Sequence, residues 1–211
     1  KRALALAITL GLAQPALAAG YTTADTSVVS MATGGTGVAR STDPAAAFLN
    51  PAATLVTPGI KLSLGAILAS PSLEARGSET SIASQSSLSV PPNAHLSMST
   101  EDFSVGGSLT VPYGSGVAWP SDWEHRFDLV AANMRVLRAS AFVGVALGPI
   151  NLAAGPYIDF GKLNLARQID FITEEGSVEI ETQAQGVGGH IALFAQPLDG
   201  LSIGATYRSR T

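Results

Sequence analysis

The 211-residue chain has no cysteine and little charge, and after its first twenty residues it has no long apolar run. Without cysteine there is no disulfide framework, no thiolate metal site and no cysteine nucleophile. Charged residues make up 13% of the chain, against about 25% in an ordinary soluble domain. Mean hydropathy is nevertheless positive, at +0.29. A surface built from so few charges faces something other than water. No stretch of about 18 apolar residues follows the first twenty, which excludes a transmembrane helix there. Lys and Arg number 12 against 16 Asp and Glu, with no basic cluster, and this balance excludes nucleic acid as a partner.

What is present begins with an address. Lys1 and Arg2 precede the apolar run from Ala3 to Ala13, Gln14-Pro15 interrupts it, and Ala16-Leu17-Ala18 supplies a small-x-small cleavage pattern. Residues 1–18 therefore read as a secretory signal peptide. Its removal leaves ten basic against sixteen acidic residues, a net charge of −6, and a chain beginning Ala19-Gly20-Tyr21.

Residues 19–58 are small, polar and rich in turn formers, including Gly34-Gly35-Thr36-Gly37 and three prolines. Asp43 and Pro44 have the character of a cap and a first helical position. The segment reads as a compact plug that needs a surrounding wall. From Ile60 onward, apolar and polar residues alternate with a period of two. Leu201, Ile203, Ala205 and Tyr207, for example, alternate with Ser202, Gly204, Thr206 and Arg208. About seven strands are expected, over 59–75, 80–99, 102–112, 126–147, 150–172, 177–197 and 200–211. Tight turns such as Gly148-Pro149 and Asp199-Gly200 alternate with longer connections such as 112–125. Long alternating strands joined this way are the signature of a transmembrane antiparallel β-barrel. The non-apolar face consists mainly of Ser, Thr, Gly, Asn and Gln, which suits a lumen better than a strongly charged soluble surface.

Several collinear blocks carry a family resemblance. Phe48-Leu49-Asn50-Pro51-Ala52, preceded by Gly35-Thr36-Gly37-Val38-Ala39 and Asp43, resembles the hatch of the FadL/TodX-type outer-membrane transporters of long-chain fatty acids and hydrocarbons. Asn93-Ala94-His95-Leu96, Gly107-Ser108-Leu109-Thr110-Val111-Pro112-Tyr113-Gly114, Gly155-Pro156-Tyr157-Ile158-Asp159-Phe160 and Gly204-Ala205-Thr206-Tyr207-Arg208-Ser209 follow in the family's order. The resemblance implies an all-β barrel of fourteen strands, about seven of them present here, with an N-terminal hatch inside. It implies passive uptake of hydrophobic molecules across a Gram-negative-type outer membrane, by a monomer when complete, with the membrane lipid as its surroundings and no cofactor. The chain then divides into signal peptide (1–18), hatch (19–58) and the first half of the barrel (59–211) of a longer protein.

Candidate sites follow from the same comparison. Asn50, Pro51 and Ala52 form the hatch motif: proline fixes φ, and the asparagine amide can serve exposed backbone groups. Pro112, Tyr113 and Gly114 mark a strand kink that opens a lateral gap in the family; Pro112 equally suits the end of the strand. Arg167 matches a carboxylate-binding arginine, and Tyr21 at the mature terminus reaches toward ligand. Trp119 and Trp123 suit either a first ligand contact or an interfacial belt. No metal site is expected: Glu174, Glu175, Glu179 and Glu181 lack well-spaced partners. A barrel enzyme of lipase type is the competing class, and a structural or adhesion barrel a third. His95, His125 and His190 are the only bases a nucleophilic serine would have, and no motif joins them to one.

Overall fold

The computed structural model describes residues 27–76, 81–85, 88–171 and 174–211. The signal peptide and Tyr21 lie outside the described residues. Seven strands form one antiparallel meander: β1 (Gly59–Ala66), β4 (Pro92–Ser99), β5 (Phe103–Ala118), β6 (Ala131–Leu147), β7 (Ile150–Asp170), β8 (Glu175–Leu198) and β9 (Leu201–Arg208). A small hairpin of β2 (Glu74–Arg76) and β3 (Ser81–Ala83) stands between β1 and β4. The sheet is open, with β1 and β9 as its edges.

Two of the expected strands, 59–75 and 80–99, are shorter than the alternation suggested. Their inner parts become β1 and β4, linked beyond them, among the described residues, by the Ala69–Ser89 bridge and the hydrogen bond from Ile67 N to Pro91 O. Pro91 and Pro92 have no N–H to donate, so the ladder loses hydrogen bonds from the Ala66–Pro92 pair onward. In the other direction, β7 and β8 run for 21 and 24 residues, about twice what a membrane-crossing strand needs. The turns at Gly148 and Gly200 are tight because each glycine takes a positive φ, 63° and 78°.

The two faces of the sheet invert the pattern of a soluble protein. Ile60, Leu62, Leu64, Val105, Val143, Ile191, Ile203 and Tyr207 point outward and are exposed. Their alternate neighbours, His95, Ser97, Ser104, Ser108, Thr110, Arg138, Asp159 and His190, point inward and are buried. On the outer face, Ala154 and Ala205 floor an apolar groove of about 600 Å³ between Val143, Leu152, Ile191 and Tyr207. Apolar side chains on an exposed sheet face are stable against hydrocarbon and costly against water.

The inner face is covered by the N-terminal segment. It contains helix α1 (Val28–Ala32), helix α2 (Ala46–Leu49) and a 3-10 helix over Pro51–Val56. Ala46, Ala47, Ala52 and Ala53 form its packing surface and meet Phe142, Ala153, Ala192 and Phe194 of β6, β7 and β8. Alanines on the segment and small residues on the wall let the two backbones approach closely. Within the wall itself, Gly106, Gly144 and Gly155 leave no room for a β-carbon, which would run into Leu96 O, the Ser104 hydroxyl and Ala141 O of the adjacent strands.

Candidate functional site

The N-terminal segment is organised around two short polar side chains. Asp43 Oδ1 accepts from Ala45 N at 2.9 Å and its Oδ2 accepts from the Ser27 hydroxyl at 2.6 Å. It caps the turn that leads into α2, as its sequence position suggests. Pro44 lies just ahead of the helix rather than at its first position. Asn50 is fully buried. Its amide nitrogen donates to Val38 O at 2.7 Å and to Leu193 O of β8 at 2.9 Å, and its Oδ1 accepts from Ala52 N at 3.2 Å. One side chain thus ties the loop before α2, the 3-10 helix after it and the wall. Pro51 fits because it opens that 3-10 helix, where its missing N–H has no partner to lose. Gly204 of β9 faces this knot, and a β-carbon there would collide with Val38 O. The Asn50-Pro51-Ala52 geometry is therefore specific, beyond an ordinary Asn-Pro turn.

The segment is fastened at both flanks of the sheet. On one side Lys61 of β1 donates to Ser41 O at 3.1 Å and to the Thr57 hydroxyl. On the other, Thr206 of β9 donates to Leu49 O at 2.9 Å, and Arg208 donates to Phe48 O. The Arg208 guanidinium also lies 4.6 Å from the centre of the Phe48 ring, within cation–π range.

Next to Arg208 on the inner face lies a charged cluster that the sequence did not single out. Arg138 of β6 meets Asp159 of β7 through two prongs of 2.7 Å each, and both residues are buried. The Arg138 guanidinium sits 3.9 Å over the Tyr157 ring and 5.7 Å from that of Tyr113. Tyr157 donates to Ser209 O at 2.6 Å and stacks on His190, with ring centres 6.4 Å apart. A paired, bidentate arginine of this kind tolerates burial because its charge is balanced and its donors are used. Its signal in the sequence was weak: Arg138 and Asp159 are isolated charges, and only register brings them together.

Pro112 does not end its strand. β5 continues to Ala118, so the connection to β6 begins at Trp119 and not at residue 112. Between Thr110, opposite Arg138, and Tyr113, opposite Val136, β5 spends three steps against two of β6. This is a β-bulge, the place where a strand can accommodate a proline. The extra residue switches the inward face from even to odd numbers, turning Tyr113 toward Arg138 and burying Val111. On the other side, the register of β5 with β4 stops at Leu109 opposite Ala94. Beyond that point a cleft of about 750 Å³ opens beside the bulge, lined by Ala69, Leu73, Pro91, Val111, Gly114 and Asn133, among others. The sequence-predicted kink thus coincides with a break in the pairing of the wall.

Arg167 shares the inward side of β7 with Asp159 and is exposed near the strand's far end. Eight residues separate them, about 26 Å along a strand at about 3.3 Å per residue. The structure therefore does not bring Arg167 to the Asn50 knot. The connection between β5 and β6 packs on itself: Trp119 is nearly buried and stacks 5.0 Å from Trp123, whose indole donates to Leu129 O at 2.7 Å. These tryptophans do not form an outward belt. Arg126 fastens the same loop to Glu175 at 2.6 Å. The three histidines sit on different elements, His95 on β4, His125 in this loop 3.4 Å from Asp128, and His190 on β8.

Comparison with known proteins gives a consistent result. The family model described as outer membrane protein transport protein (OMPP1/FadL/TodX) matches residues 9–211. No curated protein matches. Among solved structures, the toluene transporter TbuX of Ralstonia pickettii is similar with a TM-score of 0.72 and 20% identity, over 86% of this chain and 56% of its own. The P. putida toluene transporter TodX has a TM-score of 0.67 and 19% identity, over 80% and 51%. A Pseudomonas aeruginosa FadL homologue has a TM-score of 0.65 and 16% identity, over 82% and 48%. The chain spans about half the length of these structures.

Proposed function

Because this chain belongs to the outer membrane protein transport family (OMPP1/FadL/TodX), we propose that it forms the hatch and adjoining wall of a passive route for hydrophobic compounds across the outer membrane. In this reading residues 1–18 are a cleaved signal, 19–58 the hatch and 59–211 the first half of the barrel. Long-chain fatty acids and hydrocarbons are the substrate class. Such transport needs no bond-making chemistry. It needs an apolar passage, an obstruction that can move and an exit that spares the substrate from water.

The observation that carries the reading is the coincidence of the β5 bulge, the end of the β4–β5 register and the cleft between them. An unpaired stretch of wall facing hydrocarbon is costly unless something else occupies it. A greasy substrate leaving sideways fits there, passing directly into lipid. The hatch lies on the inner face beside this break, held by hydrogen bonds to Lys61, Thr206, Arg208 and Leu193 O and by alanine packing. Small, flat alanine contacts separate at less cost than interlocked large side chains. The stacked Trp119 and Trp123 sit at the outer end of β5, where an incoming substrate first meets the protein. Arg167, exposed on the inner face, suits a second contact for an acidic substrate on its way down, and Tyr21 a contact from the hatch terminus.

The double substitution Pro112→Val, Gly114→Val tests the exit. It restores a donor at residue 112 and fills the cleft with side chain. Uptake of labelled toluene and of labelled dodecanoate into cells should fall at least tenfold while the barrel still assembles, judged by heat-modifiable migration on gels. Undiminished uptake by an assembled barrel would remove the lateral exit from the account.

A further inference from the structure

Arg208 and His190 form a pair that neither the hatch nor the wall uses fully. They are register partners on β8 and β9, both on the inner face, beside the point where the hatch meets the sheet. Asp159 already satisfies Arg138 with two short hydrogen bonds. Arg208, by contrast, pairs with no carboxylate among the described residues; its hydrogen-bond acceptor there is the Phe48 carbonyl. A guanidinium has five donors in a fixed fork, so this one keeps most of its capacity. His190 is 5% exposed, and its Nε2 meets no hydrogen-bonding partner among the described residues. A buried ring nitrogen without a partner carries a desolvation cost that an incoming group can remove.

From this geometry we infer that Arg208 and His190 form an anion-accepting site on the hatch seam, and that a carboxylate bound there takes Arg208 from the Phe48 carbonyl and loosens the hatch. The inference rests on the transport reading above and assigns its trigger. The fork of Arg208 matches a carboxylate in two-pronged fashion, and a charged acceptor outcompetes a neutral carbonyl for the same donors. His190 Nε2 donates to the second carboxylate oxygen in the tautomer that carries its proton there. The Phe48 ring beside Arg208 offers an apolar contact for the tail, which selects an amphiphile over a small anion. Once Arg208 turns away, the hydrogen bonds that hold this side of the hatch among the described residues are those of Thr206 to Leu49 O and of Asn50 to Leu193 O. The mechanism is an exchange of partners, and it couples arrival of a substrate to release of the obstruction.

The absence of native cysteine makes the test direct. Ala53 is fully buried between hatch and wall, so Ala53→Cys in the whole protein in detergent reacts with a maleimide only when the hatch lifts. Dodecanoate should raise the labelling rate about tenfold or more, the fold-change of one charge-assisted hydrogen bond, and dodecanol should raise it far less. In Arg208→Gln the rate should be high without any probe and indifferent to dodecanoate, and the affinity ratio of dodecanoate to dodecanol should fall about tenfold. Should the glutamine variant fail to migrate as a folded barrel, Arg208→Lys, which keeps the charge and loses the fork, should give an intermediate response. An equal response to dodecanoate and dodecanol, or a dodecanoate response unchanged in the Arg208 variants, would overturn the site while leaving the transport reading standing. Failure of both probes to bind would overturn that reading as well.

Discussion

At Asn50 one amide serves three segments that are far apart in the chain, and its consequences are sharpest there. Two backbone carbonyls, Val38 O and Leu193 O, depend on its nitrogen, and Ala52 N depends on its oxygen. Asn50→Ala removes this partner from two part-buried carbonyls and from Ala52 N, at about 1–3 kcal/mol for each group left unsatisfied. Hatch opening should become easier by about 2 kcal/mol, read as a roughly thirtyfold faster maleimide labelling of the thiol introduced by Ala53→Cys. Asn50 and Pro51 were legible in the sequence because an asparagine before a proline has a local meaning. Arg208, Arg138 and Asp159 were not. Their neighbours in sequence give only the alternation of a strand, and their partners lie 160, 21 and 21 residues away. The resemblance points to Arg167 as a lumenal cation, and the structure adds Arg208, which donates to the Phe48 carbonyl.

Among the elements, β5 shows what a period-two reading can and cannot see. Alternation from Phe103 to Val111 was clear, and Pro112 looked like a terminus because proline removes a donor. A bulge lets the strand pass the proline, and it reverses the alternation, so residues 113–118 read as loop to a pattern search tuned to one phase. The same reversal supplies a test. Deleting Val111 restores two-for-two pairing with β6 and removes the bulge, while Tyr113 stays opposite Val136 on the inner face. The variant should keep the contact of Tyr113 with Arg138 and lose the cleft beside the bulge. Uptake of labelled toluene should drop at least tenfold, with assembly followed separately by heat-modifiable migration. Wild-type uptake would mean that the bulge has no part in transport. The first two expected strands shorten for the opposite reason: the apolar residues of 67–91 continue past β1, but Pro91 and Pro92 withhold N–H donors and the pairing thins to the Ile67–Pro91 hydrogen bond and the Ala69–Ser89 bridge.

Taken whole, the molecule is a wall with lipid chemistry outside and polar chemistry inside. The low charge and positive hydropathy follow from this inversion, since the outer face carries residues such as Ile60, Leu62, Val143, Ile191 and Ile203 where a soluble sheet would carry Lys and Glu. The inversion was visible in composition; which face carries the hatch was not, because alternation has two equivalent phases until packing selects one. In the meander β1 and β9 run in the same direction, as the first and seventh of an antiparallel series. A fully antiparallel ring containing this sheet therefore adds an odd number of strands, the first and last running the other way. Such a ring encloses the N-terminal segment, and in the proposed route the β4–β5 break is the exit beside it.

Where the substrate passes is the central claim, and photolabelling during uptake tests it most directly. An alkane bearing a diazirine, photolysed in cells that are transporting it and mapped by mass spectrometry, should leave adducts on residues of the cleft, Pro91, Val111 and Gly114. These adducts should disappear in the Pro112→Val, Gly114→Val protein. Active uptake with no adduct at the cleft, and labelling confined to the inner face, would contradict the account.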